Sequence, residues 1–171
     1  MFEFEMPGNI DDLKSMEYEL VDYLGFDKPT EKTYRQWQEH YDTDEELNAE
    51  DELSMYEEFD ATMITDFPEF TSPFWNMSRY EDGIHSKKID VILGGMETIG
   101  SAERSTDVEQ MRDTFHTITN GEYSKLLFDL FGKERVEAES ETFLKFDFFP
   151  RVGGGIGMTR MIAALDKNEE N

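Results

Sequence analysis

A pair of adjacent glycines, Gly94 and Gly95, constrains the fold of this chain more than any other feature of its sequence. The pair follows a strand-like stretch rich in Val, Ile and Leu and precedes METIGSAER. Both central positions of a two-residue β-hairpin accept positive φ, which glycine adopts without steric cost. Residues 89–104 are therefore predicted to form a hairpin, with Leu93 and Met96 on either side of its turn.

Two acidic residues share one face of this predicted hairpin. Side chains alternate along a strand with a period of two, so Ile92 lies opposite Glu97, and Asp90 lies diagonal to Glu97. Diagonal partners have backbones about 7–8 Å apart, which lets both carboxylates reach one cation. Magnesium held by one or two carboxylates and by substrate phosphates is the usual arrangement in ATP sites. Ser101 joins this face if the second strand has no bulge; the alternative is a half-exposed acidic hairpin without a ligand.

A second glycine-rich segment, GGGIGMTR at residues 153–160, follows the aromatic residues 146–149 and precedes an apolar helical pattern. This order predicts an apolar strand, then a bend lined by glycine, then a helix. Backbone without side chains lets a ligand approach closely. Arg160, in the first turn of the helix, can stack on a purine or contact phosphate oxygens. The alternative is structural: the glycines allow tight packing and Arg160 is a surface charge.

The order of these segments resembles the catalytic core of class II aminoacyl-tRNA synthetases, in the aspartyl and asparaginyl branch and in the related asparagine synthetase A-like enzymes. GGGIGMTRM resembles motif 3 of that class. GGMETIGSAER is similar to the stretch of this branch in which a glutamate binds magnesium and an arginine follows. ITDFPEFTSPFWNM, at residues 64–77, resembles the segment that precedes the ATP-binding hairpin. The likeness extends from about residue 2 to residue 165.

The resemblance implies an α+β fold, with a mainly antiparallel β-sheet flanked by helices, in which residues 1–171 form a single partial catalytic domain. It implies ATP and Mg²⁺ as cofactors, with Asp90 and Glu97 binding the metal and Arg160 packing against the adenine. Arg104 would hold the side-chain carboxylate or amide of the substrate, so Arg104 and Arg160 are the implied catalytic residues. The nucleotide would also contact Glu97 and the glycines of the motif 3 segment, which are Gly153, Gly154, Gly155 and Gly157.

An acidic cluster precedes these segments in the sequence. Glu50, Asp51 and Glu52 occupy the place where the branch has acidic residues near its amino-acid site, and of these Glu50 and Glu52 are predicted to contact the substrate. Which residue matches the family is left open. The alternative is a solvated helix face, since the cluster lies within a longer acidic run.

The segments that resemble the family begin part of the way through the family's catalytic core. Motif 1, which forms the dimer interface, and the first strand of motif 2, which carries an arginine for the α-phosphate, lie upstream of everything found here. MFEFEM, at residues 1–6, resembles the second strand of motif 2, so its hairpin partner is missing from this sequence. An unpaired sheet edge is usually covered or paired. A second copy or a partner chain is expected to complete the sheet, or the protein is a reduced relative without the parent reaction.

The net charge distinguishes among members of this family. The chain has 40 Asp and Glu but 16 Lys and Arg, which gives a net charge of −24. Proteins that bind tRNA gain affinity from Lys and Arg placed along the phosphates. We therefore expect ATP- and Mg²⁺-dependent activation of aspartate, through an acyl-adenylate captured by ammonia, as in asparagine synthetase A-like enzymes. Asparaginyl or aspartyl-tRNA synthetase activity, with tRNA as partner, and a non-catalytic protein-interaction module are the alternatives.

Composition excludes several other classes. The sequence has no Cys, which excludes disulfide frameworks and thiolate metal sites. No apolar run approaches the about 18 residues of a membrane span, and the N-terminus is acidic where a secretory signal is basic. These features favour a cytoplasmic protein without a membrane partner.

Helical periodicity predicts where several elements begin and end. Asn9 is expected to cap a helix that runs to about residue 24, with Gly25 after its C-terminus. A helix over residues 122–131 is expected to direct its apolar residues inward, namely Leu126, Leu127, Leu130 and Phe131. Residues 167–171 are predicted to form a short polar tail.

Overall fold

A six-stranded sheet forms the centre of the computed structural model, which describes residues 1–169. The order of strands across the sheet is β1-β6-β5-β4-β3-β2. All neighbouring strands are antiparallel except β2 and β3, which are parallel. The predicted α+β fold with a mainly antiparallel sheet is therefore confirmed. The strands are β1 (Phe2–Pro7), β2 (Thr30–Thr33), β3 (Ala61–Pro68), β4 (His85–Leu93), β5 (Met96–Arg104) and β6 (Arg151–Ile156).

Seven α-helices accompany the sheet in the described residues. They are α1 (Ile10–Tyr23), α2 (Tyr34–His40), α3 (Ala49–Glu58), α4 (Val108–Thr117), α5 (Glu122–Phe131), α6 (Lys133–Phe143) and α7 (Met158–Glu169). None of these helices is long and apolar enough to cross a membrane.

Two hydrophobic cores lie on opposite faces of the sheet. On one side, which we call the α1 face, α1 and α7 cover the sheet with buried side chains such as Leu13 and Met161. On the other side, the α3 face, α2 and α3 contribute Trp37 and Met55. Apolar side chains buried on both faces explain why the central strands have long apolar runs.

The first helix begins and ends where the sequence predicts. The Asn9 side chain accepts hydrogen bonds from the backbone N–H groups of Asp11 and Asp12, at 2.8 and 3.2 Å. The Asp12 carboxylate in turn accepts from the N–H of Asn9 at 2.9 Å, which completes a capping box. Gly25 follows the C-cap with a φ of +86°. Local capping chemistry therefore fixes both ends of α1.

The hairpin between β4 and β5 has the predicted turn and an additional bulge. Leu93 pairs with Met96, and Ile92 pairs with Glu97, as predicted. The next pair joins Val91 to residue 99 instead of residue 98, so one residue of β5 is extra. A bulge reverses which residues of the following strand face each side. Ser101 therefore lies on the α1 face, where its hydroxyl donates a hydrogen bond to Glu17, and does not join Asp90 and Glu97.

The glycine-rich segment is a strand and not the predicted bend. β6 includes all three consecutive glycines and pairs with β1 on one side and β5 on the other. Residues 146–149, the expected strand, have no regular secondary structure. The reason is close packing between strands: a Cβ atom on Gly154 would lie 2.6 Å from Cβ of Ser101 and 2.7 Å from the carbonyl oxygen of Gly100. Only glycine fits there.

Helix α5 has the predicted bounds but a different orientation. Leu126, Leu130 and Phe131 are exposed, whereas they were expected to point inward. The helix packs through Tyr123 and Phe128, whose rings lie 5.8 and 6.5 Å from the ring of Phe115 in α4. Apolar residues on more than one side of α5 left its buried side ambiguous in the sequence.

The C-terminal helix is longer than expected. The polar tail predicted for residues 167–171 is helical as far as Glu169, because α7 continues to that residue. Glu170 and Asn171, which end both the predicted tail and the predicted domain, lie outside the described residues.

Candidate functional site

Asp90 and Glu97 face one cleft on the α3 face of the sheet. A Cβ atom placed on Gly100 would lie 2.5 Å from Oε1 of Glu97 and 3.5 Å from Oδ1 of Asp90, so both oxygens lie above this glycine. Asp90 is only 7% exposed, and its Oδ1 has no hydrogen-bond partner. Burial raises the pKa of Asp90 to about 6, although the nearby Lys88 opposes the shift. The predicted pair is thus brought together, with one carboxylate oxygen left unpartnered.

Lys88 is the immediate counter-ion of this pair. Its ammonium contacts the other carboxylate oxygen of Asp90, Oδ2. The same ammonium lies 3.7 Å from the centroid of the Phe67 ring, over its face. Lys88 and Asp90 are two residues apart in β4, so they project from the same side of the strand.

Helix α3 adds a third carboxylate. Oε2 of Glu52 accepts a hydrogen bond from the backbone N–H of Glu97 at 2.8 Å. Burial raises the pKa of Glu52, the charge of Glu97 raises it further, and the N–H donor from Glu97 lowers it. The neighbouring members of the predicted cluster lie elsewhere: Glu50 is exposed in the first turn of α3, and Asp51 accepts from the N–H of Asn48 at the start of the helix.

Two cavities meet at Glu97. The first, which we call the β4 cavity, has a volume of about 260 Å³, and its lining includes Tyr34, Glu52, Phe67, Lys88, Asp90 and Glu97. The second, the β1 cavity, has a volume of about 370 Å³, and its lining includes Glu3, Glu5, Glu97, Gly100, Arg104 and Gly155. Glu97 is therefore placed to contact a ligand in either cavity.

Arg104 lies in the β1 cavity and is paired with a residue of β1. Its Nε lies 3.5 Å from Oε1 of Glu5. The Nε of Arg151 donates to the same oxygen at 3.1 Å, so two guanidinium groups share one carboxylate. A guanidinium is planar, and its fork of N–H donors matches the geometry of a carboxylate. Glu5 is thus the acidic partner that Arg104 and Arg151 share.

Arg160 joins the start of α7 to the same hairpin. Its Nη1 donates to the carbonyl oxygen of Glu97 at 2.6 Å and lies 3.9 Å from Oε2 of that residue. Just over half of its side chain, 53%, is exposed. Upstream, the N–H of Gly157 donates to the carbonyl oxygen of Thr98 at 2.9 Å, which fixes the first turn of α7 beside β5.

The glycines of β6 contribute differently to this site. Gly154 and Gly155 line the β1 cavity. The space beside Gly153 is filled by the Glu5 side chain and the Phe4 carbonyl. Six of the predicted residues line the two cavities: Glu52, Asp90, Glu97, Arg104, Gly154 and Gly155. Arg160 and Gly157 line neither cavity but contact the hairpin beside them, through Glu97 and Thr98. Glu50 and Gly153 lie outside the cavities.

Sequence reasoning missed Lys88 and Glu5. Both could have been found from strand alternation: Lys88 is two residues before Asp90, and Glu5 lies between Phe4 and Met6, which pack into the core of the α1 face. The alternation assigns Glu5 to the side opposite those apolar residues.

The carboxylates of Asp90 and Glu97 suit a hard cation that takes its remaining ligands from water or a bound phosphate. Within residues 1–169, no group of three or more His, Cys, Asp or Glu is placed to hold a metal ion by itself. Asp90 and Glu97 nevertheless offer two carboxylates, and one of their oxygens is buried without a partner. Magnesium commonly binds one or two carboxylates and takes its remaining ligands from water and phosphates.

Comparisons with known proteins agree with this fold and this set of segments. The family model of the tRNA synthetases class II (D, K and N) matches residues 9–170, so the chain belongs to this family. No curated protein sequence matches it.

Solved structures of the same fold are similar over nearly the whole chain. Asparaginyl-tRNA synthetase from Pyrococcus horikoshii, complexed with asparaginyl-adenylate, has a TM-score of 0.74 and 16% identity, and the match covers 96% of this chain and 43% of that one. Aspartyl tRNA synthetase from Entamoeba histolytica has a TM-score of 0.71 and 17% identity, with 96% and 40% covered. The chain thus spans less than half the length of these proteins, and the likeness concerns the fold.

Proposed function

We propose that this chain is the nucleotide- and metal-binding part of a ligase that activates aspartate with ATP, of the asparagine synthetase A-like type. The observation that carries the proposal is the unpartnered Oδ1 of Asp90, which faces the same cleft as Glu97. An ionised oxygen without a partner is costly to bury unless a cation or donor reaches it. Membership of the class II synthetase family supports ATP as the co-substrate.

Five residues of the candidate site have a role in this reaction. Asp90 and Glu97 would hold Mg²⁺, which when bound neutralises phosphate charge. Arg160 would contact the nucleotide. Gly155 would leave room for it beside β5 once the Met1 side chain moves, because Sδ of Met1 lies 2.8 Å from where a Cβ atom of Gly155 would be. Arg104 would release Glu5 and orient the substrate carboxylate, one oxygen of which attacks the α-phosphorus while pyrophosphate leaves. Positioning and charge stabilisation supply the catalysis, since no side chain has to transfer a proton in this step.

The net charge of the chain is the basis for the acceptor that we propose for the activated amino acid. A net charge of −24 disfavours contact with a polyanion, which supports ammonia over tRNA. Transfer to tRNA is the second candidate, because the similar structures are aspartyl and asparaginyl-tRNA synthetases. We place the protein in the cytoplasm, where ATP, aspartate and both acceptors occur.

A further strand from a second copy or another chain is proposed to complete the sheet. Within residues 1–169, β1 pairs with β6 alone and forms one edge of the sheet. An unpaired edge is a template for strand addition. The same strand supplies Glu3 and Glu5 to the β1 cavity, so a partner here would act directly on the wall of the candidate amino-acid site.

The activity is tested by ATP–pyrophosphate exchange with the purified chain, supplied with aspartate and asparagine separately. We expect exchange with aspartate, and a loss of at least about a hundredfold in Arg104→Ala, because that guanidinium orients the attacking carboxylate. Lys125→Ala, an exposed charge on α5, is the matched control and should leave exchange unchanged. An absence of exchange in the unmodified chain would contradict activation of aspartate by this chain alone, and would favour either a reaction that requires a partner chain or a non-catalytic interaction module.

Metal dependence provides a separate prediction. Glu97→Ala should abolish the Mg²⁺-dependent part of ATP binding, because the cleft then keeps one carboxylate ligand instead of two. Isothermal titration of ATP with and without Mg²⁺ measures this difference. Glu57→Ala, which removes an exposed carboxylate from α3, should retain the full effect of Mg²⁺. Equal affinities in Glu97→Ala and the unmodified chain would remove Glu97 from the site.

A further inference from the structure

We propose that Lys88 is an internal competitor for the metal position, whose ammonium occupies Asp90 until a divalent cation and nucleotide phosphates arrive together. The inference deepens the proposed function and rests on it, since it concerns the same cleft. It assigns a role to a residue that lies next to the metal-binding pair and does not itself bind metal.

The contacts of Lys88 support this role. Its ammonium contacts Oδ2 of Asp90, the oxygen bonded to the same carbon as the unpartnered Oδ1. A cation bound by both oxygens of Asp90 would have to displace the ammonium. A cation bound by Oδ1 alone would lie close to the ammonium and be repelled by it, since like charges a few ångströms apart repel strongly where little water separates them. In both cases Lys88 opposes binding of the metal by itself.

The surroundings of Lys88 hold its side chain in this position. The ammonium lies over the Phe67 ring at 3.7 Å, and 22% of the side chain is exposed. Lys88 lines the β4 cavity, so its ammonium can turn from Asp90 into that space without leaving the site. A phosphate oxygen in the cleft would give the displaced ammonium a new charged partner. Metal and nucleotide are therefore expected to bind cooperatively.

The first test measures the affinity of the chain for Mn²⁺ without nucleotide. Free Mn²⁺ is detected by electron paramagnetic resonance during a titration. Lys88→Met keeps a flexible, unbranched side chain at this position and removes the charge. We expect it to bind Mn²⁺ about tenfold more tightly than the unmodified chain. The tighter binding should be lost in the double variant Lys88→Met, Asp90→Asn. This variant distinguishes Mn²⁺ bound at Asp90 from Mn²⁺ bound by other acidic residues on the surface.

Lys87→Met is the matched control. Lys87 is the adjacent residue, has a similar exposed fraction of 24%, and pairs with Glu103 on the α1 face at 2.7 Å. Lys87→Met therefore removes one positive charge from the same strand, but on the face of the sheet opposite the cleft. Affinity for Mn²⁺ that is no higher in Lys88→Met than in Lys87→Met, or no binding of Mn²⁺ by any of these chains, overturns the proposal.

Cooperativity gives a second measurement that separates this inference from the proposed function. A non-hydrolysable ATP analogue should raise the affinity for Mn²⁺ by a larger factor in the unmodified chain than in Lys88→Met. The reason is that phosphates of the analogue draw the Lys88 ammonium away from Asp90, and coupling between two ligands is reciprocal. An equal factor in both chains overturns the role of Lys88. Pyrophosphate exchange in the unmodified chain would still stand in that case, so failure of the inference is distinguishable from failure of the proposed function.

Discussion

Replacing Gly154 by valine is expected to lower the free energy of unfolding by about 3 kcal/mol or more, because the added side chain overlaps the neighbouring strand. A Cβ atom at this position would lie 2.6 Å from Cβ of Ser101, 2.7 Å from the carbonyl oxygen of Gly100 and 3.0 Å from Cα of Ser101. Two of these three atoms are backbone, so no rotation of a side chain relieves the overlap. The sheet must separate between β5 and β6.

Urea unfolding, followed by the fluorescence of the two tryptophans, measures this effect. Gly157→Ala is the comparison, since its Cβ would meet only the flexible Arg160 side chain, with a nearest distance of 3.4 Å. We expect that substitution to cost at most about 1 kcal/mol. A Gly154→Val chain as stable as Gly157→Ala would mean that β6 does not lie against β5 as described.

Substitution of Glu17 by glutamine is expected to stabilise the protein at alkaline pH by a few kcal/mol. Glu17 is fully buried beneath the sheet, with Oε1 accepting from the hydroxyl of Ser101 at 2.6 Å and Oε2 without a partner. Burial raises the pKa of Glu17 from 4.5 to about 8, so the folded protein keeps this carboxyl protonated at neutral pH. Glutamine has nearly the same shape and is neutral at every pH.

The sign of the pH dependence follows from proton counting. Between pH 4.5 and about 8 the folded chain holds a proton on Glu17 that the unfolded chain has released. Stability therefore falls as the pH rises through this window, by at most about 1.4 kcal/mol per pH unit, and the full loss is present above the folded-state pKa. Glu17→Gln lacks this loss. The two chains should be nearly equal in stability at pH 4.5 and differ most above pH 8.

Urea unfolding at a series of pH values gives the difference directly. Glu19→Gln, on the exposed side of the same helix, is the matched control for loss of one acidic residue. A difference between Glu17→Gln and the unmodified chain that stays constant from pH 4.5 to 9 would show that the carboxyl is not held neutral by burial.

Local features of the chain were predictable where neighbouring residues alone determine them. The Gly94-Gly95 turn and the Asn9 cap depend on backbone angles and on hydrogen bonds within a few residues. The bulge in β5 was not predictable, because nothing in METIGSAER distinguishes a regular strand from one with an extra residue. The predicted position of Ser101 was wrong because a bulge reverses which side chains of the strand beyond it face each side of the sheet.

The glycine-rich segment illustrates the limit set by long-range pairing. Glycine lowers the strand propensity of a segment, so a bend was a reasonable prediction. The decisive factor is that β6 lies between two strands, one of which is more than 140 residues earlier in the sequence. The need for close approach at Gly154 exists only once those strands are assembled.

The candidate site was predictable to the extent that it depends on strand alternation and on resemblance. Asp90 and Glu97 follow from the hairpin, and Arg104 and Arg160 from the family pattern. Glu52 could be separated from Glu50 only by the orientation of α3, which packing against the sheet determines. Lys88 lay within reach of the same alternation, but a lysine beside two acidic residues is common on strand surfaces and did not indicate a role.

The shared position of Glu97 between the two cavities limits how such a protein can change its specificity during evolution. A substitution at Glu97 alters the candidate metal position and the wall of the candidate amino-acid pocket together, so it cannot tune one without the other. Glu3 and Glu5 line only the β1 cavity of the two. Under the proposed function, mutations in the edge strand are therefore the route by which the preferred amino acid could diverge while the candidate metal position stays the same.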